Sequence, residues 1–187
     1  MRILNVFKKK SIYILFFVSL NFYMPAALAI TLNFSAILAE ATCTISLDKN
    51  VLSLGDISQS QLKANKIVAA QPFQLNIQNC ISISGSAAYS ILVSGSGSLV
   101  DGKWLFRNSD EVGHGTGIML VQSNTVPDYL NSEIRDGSAI SIGGAGITPT
   151  NQSLKFYAGV SCGSDNGCAT MTPGKVSATV MFDLVYR

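Results

Sequence analysis

The sequence predicts an all-β fold, an antiparallel sandwich or barrel formed by a single domain. About eight short segments alternate apolar and polar residues with the period of two that is typical of strands. Turns rich in Gly, Pro, Asn and Ser separate these segments, and no segment has a convincing helical period. A content of 48% apolar residues and sixteen glycines agrees with a compact β-rich domain that is large enough for a core.

The N-terminus is predicted to be a secretory signal peptide and not part of this fold. A basic start and a mostly apolar stretch over residues 11–23 precede the small-residue cleavage site Ala27-Leu28-Ala29. A transmembrane anchor is the alternative, but it needs about 20 apolar residues, and this stretch is shorter and interrupted by polar ones. We therefore expect residues 1–29 to be removed and residues 30–187 to form one domain.

Removal of the signal peptide changes the charge of the protein. Four of the thirteen basic residues lie in the predicted signal peptide and none of the eleven acidic residues does, which leaves nine basic residues and a net charge of −2. A basic surface for nucleic acid or anionic lipid is therefore not supported.

The four cysteines favour disulfides, because an even number in an exported chain is normally oxidised. Three pairings exist in principle. Cys162 and Cys168 flank a short turn-rich loop and are expected to pair, which leaves Cys43 with Cys80. A Cys43–Cys80 bond would close a loop of about 38 residues and so stabilise the fold by roughly 4 kcal/mol in the chain-entropy model. A zinc site is the rival, but CxxC spacing is missing and the single histidine, His114, is distant in sequence.

The first strand candidates lie around the first two cysteines. Residues 32–38 alternate, and the apolar phase then shifts by one before residues 43–47, which indicates a bulge or a strand that changes sheets. Residues 73–77 form a half-buried strand that leads to Cys80, with Pro72 at its start, where a missing N–H is tolerated. Further strand candidates are 89–94, 104–106, 118–121, 138–142 and 154–160.

The last strand carries the functional interpretation. After the turn Thr172-Pro173-Gly174, every even position from 176 is apolar and the odd positions are more polar, which predicts a strand with one buried face. The even positions are Val176, Ala178, Val180, Phe182, Leu184 and Tyr186. No further segment follows in this sequence, so the strand is an edge open to pairing with other molecules. Either another part of the chain covers it or another chain does, and we favour the second.

Patterns for catalysis are weak, and we expect no enzyme activity, no cofactor and no metal. His114 lies near Asp110 and Glu111, but no nucleophile-elbow pattern accompanies them, so a loop histidine is the better interpretation. Trp104 lies between basic residues and could stack against a sugar ring, although a lone tryptophan in a β-domain is more often part of the core.

Several motifs occur together in order along the chain: LNFSAILAEATC ending at Cys43, PFQLNIQNC ending at Cys80, GTGIMLVQSN at 115–124, LKFYAGV at 154–160 and TPGKVSATVMFDLVY at 172–186. Gly174 is fourteenth from the end and Tyr186 is the penultimate residue. In these features the chain resembles the subunits of chaperone–usher pili (fimbriae) of the type 1 and P pilus kind.

The resemblance implies an incomplete immunoglobulin-like β-sandwich that lacks its final strand and leaves an apolar groove beside the C-terminal strand. A periplasmic chaperone would lend a strand to this groove, and at the outer-membrane usher the N-terminal extension of the next pilus subunit would replace it. The six even residues of the last strand would line or flank the groove, with Gly174 at the turn before them. Basic residues of the chaperone would hold the Arg187 carboxylate.

One departure concerns position in the pilus. Only thirteen residues, Ile30 to Thr42, separate the expected cleavage site from Cys43, and the first strand uses most of them. We hypothesise that the subunit has little or no donor strand and is a minor or tip subunit of a cell-surface pilus that supports adhesion. A single-domain tip adhesin that binds a host glycan receptor through Trp104 is the alternative.

Overall fold

The structure, a computed structural model, describes residues 43–81, 87–109 and 114–186. The predicted signal peptide, the strand candidate at 32–38, Asp110, Glu111 and Arg187 lie outside the described residues. The described strands are β1 (Thr44–Leu47), β2 (Val68–Gln78), β3 (Tyr89–Ser94), β4 (Gly97–Val100), β5 (Lys103–Phe106), β6 (Gly117–Gln122), β7 (Glu133–Ile134), β8 (Ala139–Ser141), β9 (Gln152–Ser161) and β10 (Met181–Tyr186). A 3-10 turn, Gln59–Gln61, and a short helix α1, Asp165–Ala169, complete the described elements.

The strands form two antiparallel sheets, as the sequence predicts. Sheet A has the order β1-β2-β9-β6-β5-β4, with β7 beside β6, and sheet B has the order β10-β3-β8. Helix α1 and the 3-10 turn were not expected, because five and three residues are too few to show a helical period. The all-β antiparallel fold class is confirmed.

The main core lies between the two sheets. The apolar face of β2 packs against that of β3, and Ile77, Ile91 and Phe156 are fully buried. A second cluster on the outer face of sheet A is formed by Met119 and Val121 with neighbouring side chains. Strand β6 is therefore buried on both faces, which explains why its sequence is almost continuously apolar.

Strand β2 differs from the prediction at Pro72, which lies inside the strand opposite Tyr157 and not at its start. A register shift between Val68 and Gln71 marks a bulge that sequence periodicity does not show. The carbonyl of Pro72 accepts a hydrogen bond from Lys49 Nζ at 2.7 Å, beyond the end of β1. In an antiparallel strand the N–H and C=O of one residue point to the same side. The missing N–H of Pro72 therefore lies on the side that faces Lys49, where no described strand pairs with this part of β2.

Strand β10 is shorter than predicted. The alternating pattern begins at Val176, but the hydrogen-bonded strand begins at Met181, which pairs with Ser94 at the end of β3. Because β3 ends there, residues 176–180 have no partner in sheet B. They precede β10 in sequence without belonging to the sheet.

Both predicted disulfides are present. Cys43–Cys80 joins the residue before β1 to the residues after β2, and Cys162–Cys168 encloses most of α1. All four cysteines are therefore oxidised.

Candidate functional site

Strand β10 lies at the edge of sheet B. It pairs with β3 from Met181↔Ser94 to Tyr186↔Tyr89, and within the described ranges no strand pairs with its other side. Such an edge presents main-chain N–H and C=O groups that another strand can bond. The free side of β10 is therefore the natural starting point of a binding site.

An apolar groove of about 980 Å³ lies beside this edge. One side is the rim segment, residues 47–62, and the other is the wall segment, residues 171–180, which continues into Phe182. The floor is the inner face of sheet A, where it extends beyond the cover of sheet B. The floor residues are Phe73, Ile118, Leu120, Ala158 and Val160.

The apolar side chains around the groove are only half buried. Wall residues Val176, Ala178 and Val180 are half exposed, as are Leu52 and Leu54 on the rim segment. Core residues of the same type, such as those of β2 and β3, are at most a few per cent exposed. An extended segment with alternating apolar side chains would bury these surfaces while its main chain bonds the edge of β10.

The predicted groove residues divide into two groups. Val176, Ala178, Val180 and Phe182 line the groove together with Gly174. Leu184 packs against the core, and Tyr186 is 41% exposed with its ring edge-on to Tyr89 at 6.1 Å. These two residues flank the groove and do not line it. The rim segment and the floor were not predicted from the sequence.

Phe182 attaches β10 to sheet A. Its ring lies 5.5 Å from that of Phe156 and 6.0 Å from that of Phe73, and the latter two rings stack at 5.4 Å. Aromatic pairs at such distances add to the stabilisation that area burial provides. The edge strand is therefore fixed at one end of the groove even though it has a single strand neighbour.

His114 contributes through its main chain. Its N–H donates to Thr172 Oγ1 at 2.9 Å, and its carbonyl accepts the Thr172 N–H at 3.1 Å. The pair fixes the start of the wall segment to the residues before β6. This agrees with the interpretation of His114 as a loop residue.

Trp104 packs against the core and not into a ligand site. Its ring is edge-on to Phe106 at 6.1 Å, and its Nε1 is buried without a hydrogen-bond partner among the described residues. The neighbouring Lys103 pairs with Glu133 at 3.0 Å, and Arg135 pairs with the same carboxylate at 2.7 Å. Burial opposes ionisation of Glu133 most strongly, but main-chain hydrogen bonds and Lys103 together lower its pKa.

A second contact supports the chain just before the start of the wall segment. Asp101, in the turn between β4 and β5, accepts the N–H groups of Ser164 at 2.8 Å and Gly167 at 2.9 Å. It thereby holds the loop of the Cys162–Cys168 disulfide, from which the chain enters the wall segment. The hydrogen bonds from Gly167 and Ser164 lower the pKa of Asp101.

The Asp101 contact predicts a local response to acid. Because the folded state lowers this pKa, the contact is complete above the ordinary carboxyl pKa of about 3.9 and is lost as pH falls through the lowered value. In an NMR titration, the amide shifts of Ser164 and Gly167 should move only below about pH 4. Asp101→Asn should move them already at neutral pH, whereas Asp183→Asn, on exposed strand β10, should not. Unmoved shifts in Asp101→Asn would contradict this role.

Two further observations concern other kinds of site. In the described ranges, no group of three or more His, Cys, Asp or Glu side chains is placed to hold a metal ion. Neither helical element of the described chain has the length or apolar character that crossing a bilayer requires.

The fold and the groove together define a β-sandwich with an open edge strand, and comparison with known proteins identifies its family. Residues 30–187 match the family model described as Fimbrial protein. The chain therefore belongs to the Fimbrial protein family. Fimbrial protein 987P of Escherichia coli is 24% identical over 156 residues, which cover 82% of this chain and 79% of that protein.

The fold is also that of a solved pilus protein. The crystal structure of the P pilus rod subunit PapA matches with a TM-score of 0.50 and 22% identity, covering 84% of this chain and 99% of the other. At this identity the match shows a common fold. The chain is thus a fimbrial subunit with the pilin fold.

Proposed function

We propose that this protein is a structural subunit of an adhesive chaperone–usher pilus and that its groove receives a strand from another polypeptide. A periplasmic chaperone donates the strand first, and the N-terminal extension of a neighbouring subunit replaces it at the outer-membrane usher. Family membership supports a pilus role. The observation that carries the strand mechanism is the half-buried apolar groove beside the free edge of β10.

The chemistry of the groove favours a strand over a small ligand. In the described residues the groove has no metal cluster, and its charged lining residues are Lys49, Asp56 and Lys175, on its two sides. Its floor is apolar apart from Thr116, and its two sides alternate apolar residues such as Leu52 and Val176 with polar residues such as Ser53 and Ser177. Strand addition uses these features, because main-chain bonds provide affinity and alternating pockets provide specificity.

The chaperone is also proposed to bind the C-terminus. Strand β10 ends at Tyr186, and the Arg187 carboxylate follows directly. Basic residues of the chaperone would hold this carboxylate and so fix the register of the donated strand along β10. After assembly, the subunit is part of the cell-surface pilus.

Co-expression tests the proposal. The mature chain produced with its cognate chaperone is expected to be a soluble one-to-one complex, and the same chain produced alone is expected to aggregate or be degraded, because the apolar groove remains exposed. Size-exclusion chromatography with mass determination of both preparations decides the matter. A stable monomer without chaperone would contradict the proposal.

Placement at the pilus tip stays a prediction, since it depends on residues 30–42, which lie outside the described residues. Mass spectrometry of the mature protein tests it. A mass that corresponds to a chain beginning at Ile30 agrees with the prediction. A mass that corresponds to cleavage well before Ile30 contradicts it. The packing of Trp104 against the core gives the glycan-binding alternative no support.

A further inference from the structure

The wall segment needs main-chain partners that sheet B does not provide. Strand β3 ends at Ser94, and the chain turns through Gly95 and Ser96 into β4. Residues 177–179 lie outside the hydrogen-bonded strands and lead directly into β10. Main-chain groups that are partly buried require hydrogen bonds, so another part of the chain must supply them.

Asn108, two residues after β5, supplies these bonds. Its main-chain N–H donates to the Ser177 carbonyl at 2.8 Å, and its side-chain Oδ1 accepts the Thr179 N–H at 3.1 Å. Its Nδ2 also donates to Ser177 Oγ at 3.1 Å. A carboxamide has the same acceptor and donor groups as a peptide bond, so this one residue substitutes for a neighbouring strand.

These bonds determine which edge of the wall segment faces the groove. The Ser177 carbonyl and the Thr179 N–H both face Asn108, which is the i, i+2 spacing of an extended segment. In such a segment the main-chain groups of Ala178 and Val180 point to the opposite edge. No hydrogen bond within the described ranges engages the main chain of Ala178 or Val180. The free edge of β10 is thus extended beyond the end of β3.

Gly95 allows the wall segment to approach this closely. A Cβ placed on Gly95 would lie 2.7 Å from the Thr179 carbonyl oxygen and 3.1 Å from the Phe106 ring. A side chain at this position would therefore push the wall segment toward the groove. Asn108 and Gly95 therefore both lie against Thr179.

Together these contacts assign Asn108 a role that no sequence motif indicated. We infer that Asn108 is a positioning residue for strand addition, which holds residues 177–179 in strand geometry before a partner strand arrives. The inference rests on the proposed function, since it concerns how the same groove is prepared. It follows that an incoming strand can form main-chain bonds along the wall segment as well as along β10.

The test uses the purified complex of the mature chain with its chaperone. Asn108→Ala removes both side-chain bonds and is expected to make the complex dissociate about tenfold faster, the effect of one to two net hydrogen bonds. Asn108→Asp keeps an acceptor for the Thr179 N–H and should restore most of the difference. Ser109→Ala, which alters the exposed side chain next to Asn108, outside the groove lining, is the control and should dissociate like the wild type.

Amide hydrogen exchange separates positioning from general destabilisation. In Asn108→Ala, exchange should rise at residues 177–180 and stay unchanged at residues 91–93 of β3. Equal increases at both places, or a dissociation rate within about twofold of the wild type, would overturn the inference. If the wild type forms no chaperone complex, the proposed function fails. Hydrogen exchange of the isolated wild-type and Asn108→Ala chains then decides whether Asn108 holds the wall segment. Unchanged exchange at Thr179 in Asn108→Ala would refute the inference.

Discussion

Replacing Val180 with arginine is expected to abolish stable chaperone binding. Val180 lines the groove, packs against the main core and is partly exposed. A strand seated in the groove would bury this position. An unpaired guanidinium buried among apolar side chains costs several kcal/mol, so the affinity should fall at least roughly 100-fold.

The matched control for this change is Met181→Arg. Met181 is the next residue along the chain, lies on the opposite face and is 56% exposed. Its substitution adds the same charge but places it in solvent, so we expect a near-normal yield of the complex in a pull-down with tagged chaperone. Equal losses from both variants would indicate a general effect of charge, and the groove would then not be the binding site.

Loss of the Cys43–Cys80 disulfide is expected to cause the largest change in stability. The bond closes a loop with a sequence separation of 37 across the ends of β1 and β2. In the chain-entropy model its removal in a Cys43→Ser, Cys80→Ser variant lowers the free energy of unfolding by roughly 4 kcal/mol. The measurement is urea unfolding of the chaperone complex at fixed protein concentration.

The second disulfide provides the comparison. Cys162 and Cys168 are separated by only 6 positions. The same model gives a loss of about 2 kcal/mol for this short loop, so a Cys162→Ser, Cys168→Ser variant should unfold at a higher urea concentration than the first. The reverse order would show that chain entropy does not control the contribution of these bonds.

The strands were predictable where one face is buried and the other is exposed. Residues 73–77 of β2 alternate clearly, because the period of the side chains matches the period of burial. Hydrogen bonds across strands depend on residues distant in sequence. Strand β10 is shorter than its alternating sequence predicts, because its neighbour β3 ends at Ser94.

The groove was half predictable for the same reason. Its wall follows from alternation at even positions between Val176 and Phe182. The floor, by contrast, consists of ordinary core positions such as Ala158, which differ only in the absence of a covering strand. Asn108 lies in a loop, where no periodicity exists, and its function depends on contacts across about 70 residues of sequence.

A structure of the purified complex tests the central claim most directly. We predict that a strand of the chaperone lies along the free edge of β10, with its alternating apolar side chains on the floor formed by residues such as Ile118 and Ala158. The contradicting result is a strand from the same molecule in that place, for example residues 30–42, which would mean that the chain completes its own sandwich.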